Sequence, residues 1–331
     1  MIEIMPIEMI IWILTGKCNL NCIHCYASKF RGYEEMSLNE AKRFIKEISE
    51  YGVERVALTG GEPLLRRELP EILEEIYDSG MSCNMSTNLT CLDPRLASIL
   101  RRYDVYLYIS LDGAKPETYE SIRGAGTWRS FMRGMDQVKK HEIEFSTVMA
   151  VCKRNLNEVR DYVELASKLG AYSACIIPVM PAGKADEELI PSRREMIYAV
   201  RMLNDACEEL GYMGGIWCYK PAELLIDSHR IYVGGACRDD RFVDIDPSGN
   251  LLLCDVLDFK LANVKKGFRR ALEEYYADEL VQLVSQPELK EPCISCRLRE
   301  SCMGGCYARA YILKGDLKAP DPYCPLIEEG S

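Results

Sequence analysis

Between residues 10 and 180, short runs rich in β-branched and aromatic residues alternate with stretches of helical periodicity. The runs at 10–14, 53–59, 81–87, 105–111, 143–151 and 172–179 predict six strands. Between the first two, Leu38, Ala41, Phe44, Ile45, Ile48 and Tyr51 recur on one helical face, and Ser37 with Glu40 forms a capping box at its start. The stretches 69–79, 94–101, 130–140, 155–169 and 192–210 read as helices by the same criterion. Strands that alternate with helices build a parallel sheet, and a partial (β/α)6 TIM-like barrel fits better than a doubly wound sheet, although periodicity alone does not choose between them. In such barrels chemistry gathers at the C-terminal ends of the strands.

After about residue 213 the alternation stops, helical repeats become scarce, and Gly, Pro and Cys become denser. A boundary is therefore expected between 1–212 and 213–331. Half of the 16 cysteines fall in the later segment, which is expected to fold around metal rather than around a large apolar core.

The formal charge of −10 and a pI of about 5.1 argue against nucleic acid or an anionic membrane as partner. The N-terminus lacks a basic signal region and its apolar run is too short to span a bilayer, so a cytoplasmic protein is expected. In that reducing compartment so many thiols fit metal binding better than disulfides; a secreted disulfide protein is the alternative.

Thr15-Gly-Lys-Cys18-Asn-Leu-Asn-Cys22-Ile-His-Cys25-Tyr26 follows directly on the first predicted strand. Soft thiolates favour an iron–sulfur cluster or zinc. A structural zinc site needs four ligands, which would require His24 to join the three cysteines; a cubane held by three cysteines keeps one iron open. Thr59-Gly60-Gly61-Glu62-Pro63 closes the second strand. Its glycines would admit close backbone approach to a ligand, and Glu62 could accept charge-assisted hydrogen bonds from an ammonium. Ser86-Thr-Asn88 ends the third strand, Ser110 and Asp112 end the fourth, and Arg123 follows about one helix later, where a solvated helix-end arginine is the plain alternative.

C-x3-C-x2-C after the first strand, followed by Gly-Gly-Glu-Pro after the second, resembles the radical S-adenosylmethionine (SAM) superfamily. That resemblance implies a [4Fe–4S] cluster on Cys18, Cys22 and Cys25 with SAM at the open iron. It further implies SAM contacts from Gly60, Gly61, Glu62, Pro63, Asn88, Ser110, Asp112 and Arg123, with His24 and Tyr26 beside them. Leu89 departs from the pattern, standing where related proteins often carry glycine.

Cys237-x11-Gly249-x4-Cys254 and Cys293-x2-Cys296-x5-Cys302-x3-Cys306, closing at Cys324, resemble the SPASM extension of that superfamily. Two auxiliary [4Fe–4S] clusters are implied: an outer one on Cys293, Cys296, Cys302 and Cys324, and an inner one on Cys237, Cys254 and Cys306, with Cys218 as best candidate for the fourth ligand. A zinc ribbon on Cys293, Cys296, Cys302 and Cys306 is the alternative. Cys83, Cys91, Cys152, Cys175 and Cys207 read as small core residues.

The resemblance implies reductive cleavage of SAM to a 5′-deoxyadenosyl radical and oxidation at a C–H position, with Asp255 as general base beside the inner cluster or, plainly, a surface aspartate. The implied substrate is a peptide or protein side chain, or alternatively a tetrapyrrole, and the reductant a ferredoxin- or flavodoxin-like protein. Pro181-Ala-Gly-Lys184-Ala185 resembles a segment found in several subgroups, and Lys184 reads as a solvated loop lysine. A non-catalytic multi-cluster electron carrier is the reading from another class.

Overall fold

The computed structural model describes residues 6–234, 237 and 241–327. Strand β1 (Met9–Thr15) runs through the first cysteine loop into α1 (Leu38–Tyr51). Then β2 (Arg55–Gly60) is followed by α2 (Leu69–Asp78), β3 (Ser82–Thr87) by α3 (Pro94–Arg102), and β4 (Tyr106–Ser110) by α4 (Pro116–Arg123) and α5 (Thr127–Lys140). Strands β5 (Phe145–Val151) and β6 (Ala174–Pro178) lead to α6 (Val159–Leu169) and α7 (Arg193–Leu210). The six strands are parallel neighbours in sequence order.

The sheet does not stop at residue 213. Strands β7 (Gly214–Ile216) and β8 (Ile231–Val233) extend it in parallel beyond β6. At its other edge β9 (Phe242–Ile245) pairs parallel to β1, with Ile11 opposite Asp244, and β10 (Asn250–Leu252) and β11 (Lys260–Asn263) add an antiparallel pair. Among the described residues the eleven strands form one open sheet running from β11 to β8, which makes the βα unit a partial barrel.

Residue alternation explains why the sheet has one dry and one open face. Val56, Leu58, Met85, Leu107 and Ile109 point under the helices and are buried, whereas Thr59, Asn84, Ser86, Tyr108, Ser110 and Ala150 point the other way and stay half-exposed. The concave face above the strand ends is thus the accessible one.

Helix α1 has the expected cap: Glu40 N–H donates to Ser37 Oγ at 3.3 Å and Ser37 N–H to Glu40 Oε2 at 2.8 Å, and Gly52 ends the helix at φ +105°. Its apolar face carries Phe44 and Tyr51, which receive Phe268 edge-on at centroid distances of 5.8 and 5.3 Å. Phe268 opens α8 (Phe268–Ala277), which precedes α9 (Glu279–Ser285), and residues of both helices lie in the main apolar core. The expectation of a later segment built around metal instead of an apolar core is therefore corrected. Residues 242–284 owe their place to β1, whose free edge β9 completes, and to α1. The stretch after 286 is loop-rich, with two short helices, α10 (Arg299–Cys302) and α11 (Tyr307–Lys314). Among the described residues no helix is long and apolar enough to cross a membrane.

Candidate functional site

The first cysteine loop is held by backbone against backbone. Gly61 N–H donates to Thr15 O and Glu62 N–H to Lys17 O, both at 2.8 Å, prolonging the β1–β2 ladder into the loop. A Cβ at Gly60 would stand 2.4 Å from Thr15 O, and one at Gly61 2.1 Å from Lys17 O. The glycine pair is thus required by the cysteine loop itself, a need that stands beside its reading as an opening for a ligand. Gly183 does the same from the other side, where a Cβ would lie 2.4 Å from Cys25 O, and Lys184 N–H donates to Cys25 O at 3.1 Å. Lys184 remains exposed, but its ammonium is bonded to Asn21 of the loop rather than to solvent alone.

Glu62 is fully buried and accepts from Thr87 Oγ1 and Asn88 N–H at 2.7 Å and from Leu64 N–H at 3.2 Å. Burial pushes its carboxyl up against the opposing pull of these three donors. Pro63, also buried, opens the short turn behind it. Asn88 accepts from Thr90 and donates to Asn19 Oδ1 at 3.1 Å, so its side chain braces the loop beside Cys18. Leu89 takes the left-handed conformation at φ +67°, the place a glycine would hold without strain. Ser110 ends β4 on the half-exposed concave face.

Asp112 is fully buried and collects four donors: Arg123 Nε and Nη2 at 2.7 Å, Ala150 N–H at 2.7 Å and His24 Nε2 at 3.1 Å. Burial would raise its carboxyl, but Arg123 and His24 hold it well below the usual carboxylate range. Arg123 is 8% exposed, which excludes a solvated helix-end arginine. Burial raises the thiols of Cys18, Cys22 and Cys25, neighbouring thiolates raise them further, and Arg123 is the cation that opposes this at all three. Three soft donors, one shared cation and an imidazole already engaged by Asp112 fit a cluster that three cysteines hold.

In the second constellation Cys218, at φ +53°, meets the thiol of Cys237, and that contact, burial and the charges of Cys218, Cys254 and Cys306 raise the Cys237 thiol. The four half-buried cysteines gather in one place. Asp255 is no surface aspartate: Tyr26 donates its hydroxyl to Asp255 Oδ2 at 2.6 Å, and Asp255 N–H donates to Asp244 Oδ2 at 2.9 Å. Cys254, Asp255 and Asp244 lie within 4.8 Å of one another, and Asp244 Oδ1 is buried without a partner. Burial, then the other carboxylate, raises Asp244, and burial raises Asp255. Asp244 escaped notice in the sequence; its signal is an acidic residue between Val243 and Ile245 on a strand whose alternate side chains are buried.

Cys293, Cys296, Cys302 and Cys324 line one cavity with apolar walls from Pro221, Leu224 and Leu326. Burial pushes Cys302 up to about 12 and Cys324 up to about 11. Cys306 is turned to the other set, so this cavity offers four thiols of its own without it, unlike the ribbon alternative. Between the two sets lies a pair that the sequence did not reveal: Arg309 and Asp321, both fully buried, joined at 2.7 and 2.9 Å. Of the core-assigned cysteines, Cys83, Cys152, Cys175 and Cys207 are buried and Cys91 is half-buried.

Residues 12–166 match the Radical SAM superfamily. The chain is 31% identical to the AdoMet-dependent heme synthase of Methanosarcina barkeri over 96% of each chain, and 27% identical to the PqqA peptide cyclase of Granulibacter bethesdensis over 95% of this chain and 86% of that one. The structure of Streptococcus suis SuiB bound to precursor peptide SuiA has the same fold, at a TM-score of 0.78 and 14% identity, over 97% of this chain and 76% of that one. The family match and the near full-length likeness to these relatives place the chain in the radical SAM superfamily.

Proposed function

We propose that this enzyme oxidises a substrate C–H position above the concave face, with Asp255 as the base that removes the substrate proton. When bound, the cluster and SAM supply a 5′-deoxyadenosyl radical able to take hydrogen from an unactivated carbon. Cys18, Cys22 and Cys25 hold that cluster, and Arg123 and Ser110 face SAM. Asp112, Glu62 and Asn88 act as positioning residues, since their polar atoms already hold Arg123, His24, Thr87 and the loop. Cys218, Cys237, Cys254 and Cys306 hold the inner auxiliary cluster and Cys293, Cys296, Cys302 and Cys324 the outer one.

The observation that carries the reading is the place of Asp255, bonded to Tyr26 of the first loop and adjacent to Cys254 of the inner set. A carboxylate poised between the two centres suits an oxidation that loses a proton, as the formation of a new bond or double bond on a peptide side chain does. A second reading, oxidative loss of a tetrapyrrole carboxyl group, is favoured by the 31% identity to a heme synthase across nearly the whole chain. That reaction releases carbon dioxide and needs no base. A small acidic electron-carrier protein of the ferredoxin or flavodoxin type serves as reductant in either case.

The two readings part at one substitution. Anaerobically reconstituted protein with SAM and reductant is expected to release 5′-deoxyadenosine. On the peptide reading Asp255→Asn keeps that release and loses product by about 10²-fold or more. Undiminished carbon dioxide release from a carboxylate-bearing porphyrin in Asp255→Asn would establish the second reading instead.

A further inference from the structure

Arg309 and Asp321 form a fully buried ion pair in the cysteine-rich region, and neither belongs to a ligand set. Both are 0% exposed. Taking two charges out of water costs several kcal/mol per ion and is commonly no better for stability than an apolar pair, so a pair kept at such depth invites a reason beyond stability. Its surroundings supply one. Arg309 donates through Nη2 to Cys218 O at 2.5 Å, its backbone N–H points to Cys306 Sγ at 3.3 Å, and its guanidinium lies between the rings of Tyr323 and Tyr219, at 4.5 and 5.5 Å. The contacts to Cys218 and Cys306 belong to the inner set. Its Nε–H is buried and has no hydrogen-bond partner.

Asp321 reaches both sets. It precedes Cys324 by three residues, its backbone carbonyl accepts Cys324 N–H at 2.8 Å, and its carboxylate is the leading charge on Cys302 after burial. The carboxylate also accepts Cys306 N–H at 3.2 Å, where Arg309 outweighs it in effect on the thiol. Both charges thus meet the inner set, where Arg309 offsets Asp321 at Cys306, while Asp321 is the member of the pair felt at Cys302 and Cys324.

We propose that the Arg309–Asp321 pair is an electrostatic gradient built between the two auxiliary centres, raising the reduction potential of the inner cluster relative to the outer one, with the free Nε–H of Arg309 as a donor toward inner-cluster sulfur. This rests on the ligand sets proposed above. The physical basis is that net charge and hydrogen bonds to sulfur set cluster potentials, and a nearby cation or N–H donor stabilises the added electron. The gradient makes the inner centre, beside Asp255, the preferred resting place for an electron taken from substrate.

The test is an EPR-monitored potentiometric titration of the holoenzyme with its variants. Arg309→Gln, at unchanged iron content, is expected to lower the inner potential by about 59 mV, a tenfold change in the one-electron equilibrium. Arg309→Lys, which keeps the charge, is expected to stay within about a factor of three of the wild type, or about 30 mV. An unmoved potential in Arg309→Gln with full iron overturns the proposal. Should that variant lose iron, wild-type enzyme labelled with arginine carrying 15N at Nε alone decides: a nitrogen coupling to the reduced inner cluster in pulsed EPR supports it and the absence of one overturns it. Wild-type protein that assembles no auxiliary cluster would instead overturn the ligand assignment.

Discussion

Removing the carboxylate of Asp112 leaves the guanidinium of Arg123 buried without its counter-charge, and removing Arg123 does the converse. Breaking such a pair from one side costs about 3–5 kcal/mol. Asp112→Ala is therefore expected to lower the midpoint of chemical denaturation, measured on iron-free protein so that lost metal does not contribute. The same pair sets an acid limit. The folded carboxyl of Asp112 lies below its unfolded value of about 3.9, so its contribution is complete above about pH 5 and is lost as pH falls below that value. Denaturation midpoints of the wild type should fall across this range, and those of Asp112→Ala less steeply. Asp112 and Arg123 were legible in the sequence as candidate site residues. Their mutual burial was not, because a helix-end arginine eleven positions from a strand-end aspartate carries no sign of which way it turns.

Between elements the decisive contacts are backbone ones, and glycine is what permits them. Gly61→Ala would drive a methyl group to 2.1 Å from Lys17 O, where no flexible side chain can yield. It should abolish iron binding at the first loop, read as loss of about four irons per chain on the four-iron cubane count. Gly52→Ala is the control: its φ is +105° but nothing lies within 4 Å, so it costs only about 1 kcal/mol of backbone strain and keeps the iron. At the start of the same helix, Ser37→Ala should cost about 1 kcal/mol by thermal or chemical denaturation, the usual value of an N-cap. Hydrogen bonds from Ser37 hold Glu40 down at about 2, so the cap's contribution is present above its unfolded value of about 4.3 and fades as pH falls toward 2. Helix α1, strands β1 to β6 and the cysteine spacings were readable because their periods run over many residues. Strands β7 to β11 span only three or four residues each, too few for a period of two to stand out, and the pairing of β9 with β1 joins positions more than 230 apart. The same distance hid Tyr26–Asp255 and Asp244.

For the molecule as a whole, the three thiol sets predict about twelve irons per chain after reconstitution. Cys254→Ala should leave the first and outer sets filled, with eight or more irons, and change the inner-cluster EPR signal alone. A zinc-ribbon tail would give about four irons plus zinc. The strand order carries a further consequence for biosynthesis. Strand β1 is made first, yet its second neighbour, β9, leaves the ribosome only after some 230 further residues. Until then a row of backbone donors and acceptors along β1 has no partner and can recruit another chain. A fragment ending at residue 212 should accordingly aggregate during expression, and should be rescued when β9 to β11 are supplied, a result read by the yield of soluble protein. Among the described strands, β1 is the one that waits longest for its second neighbour.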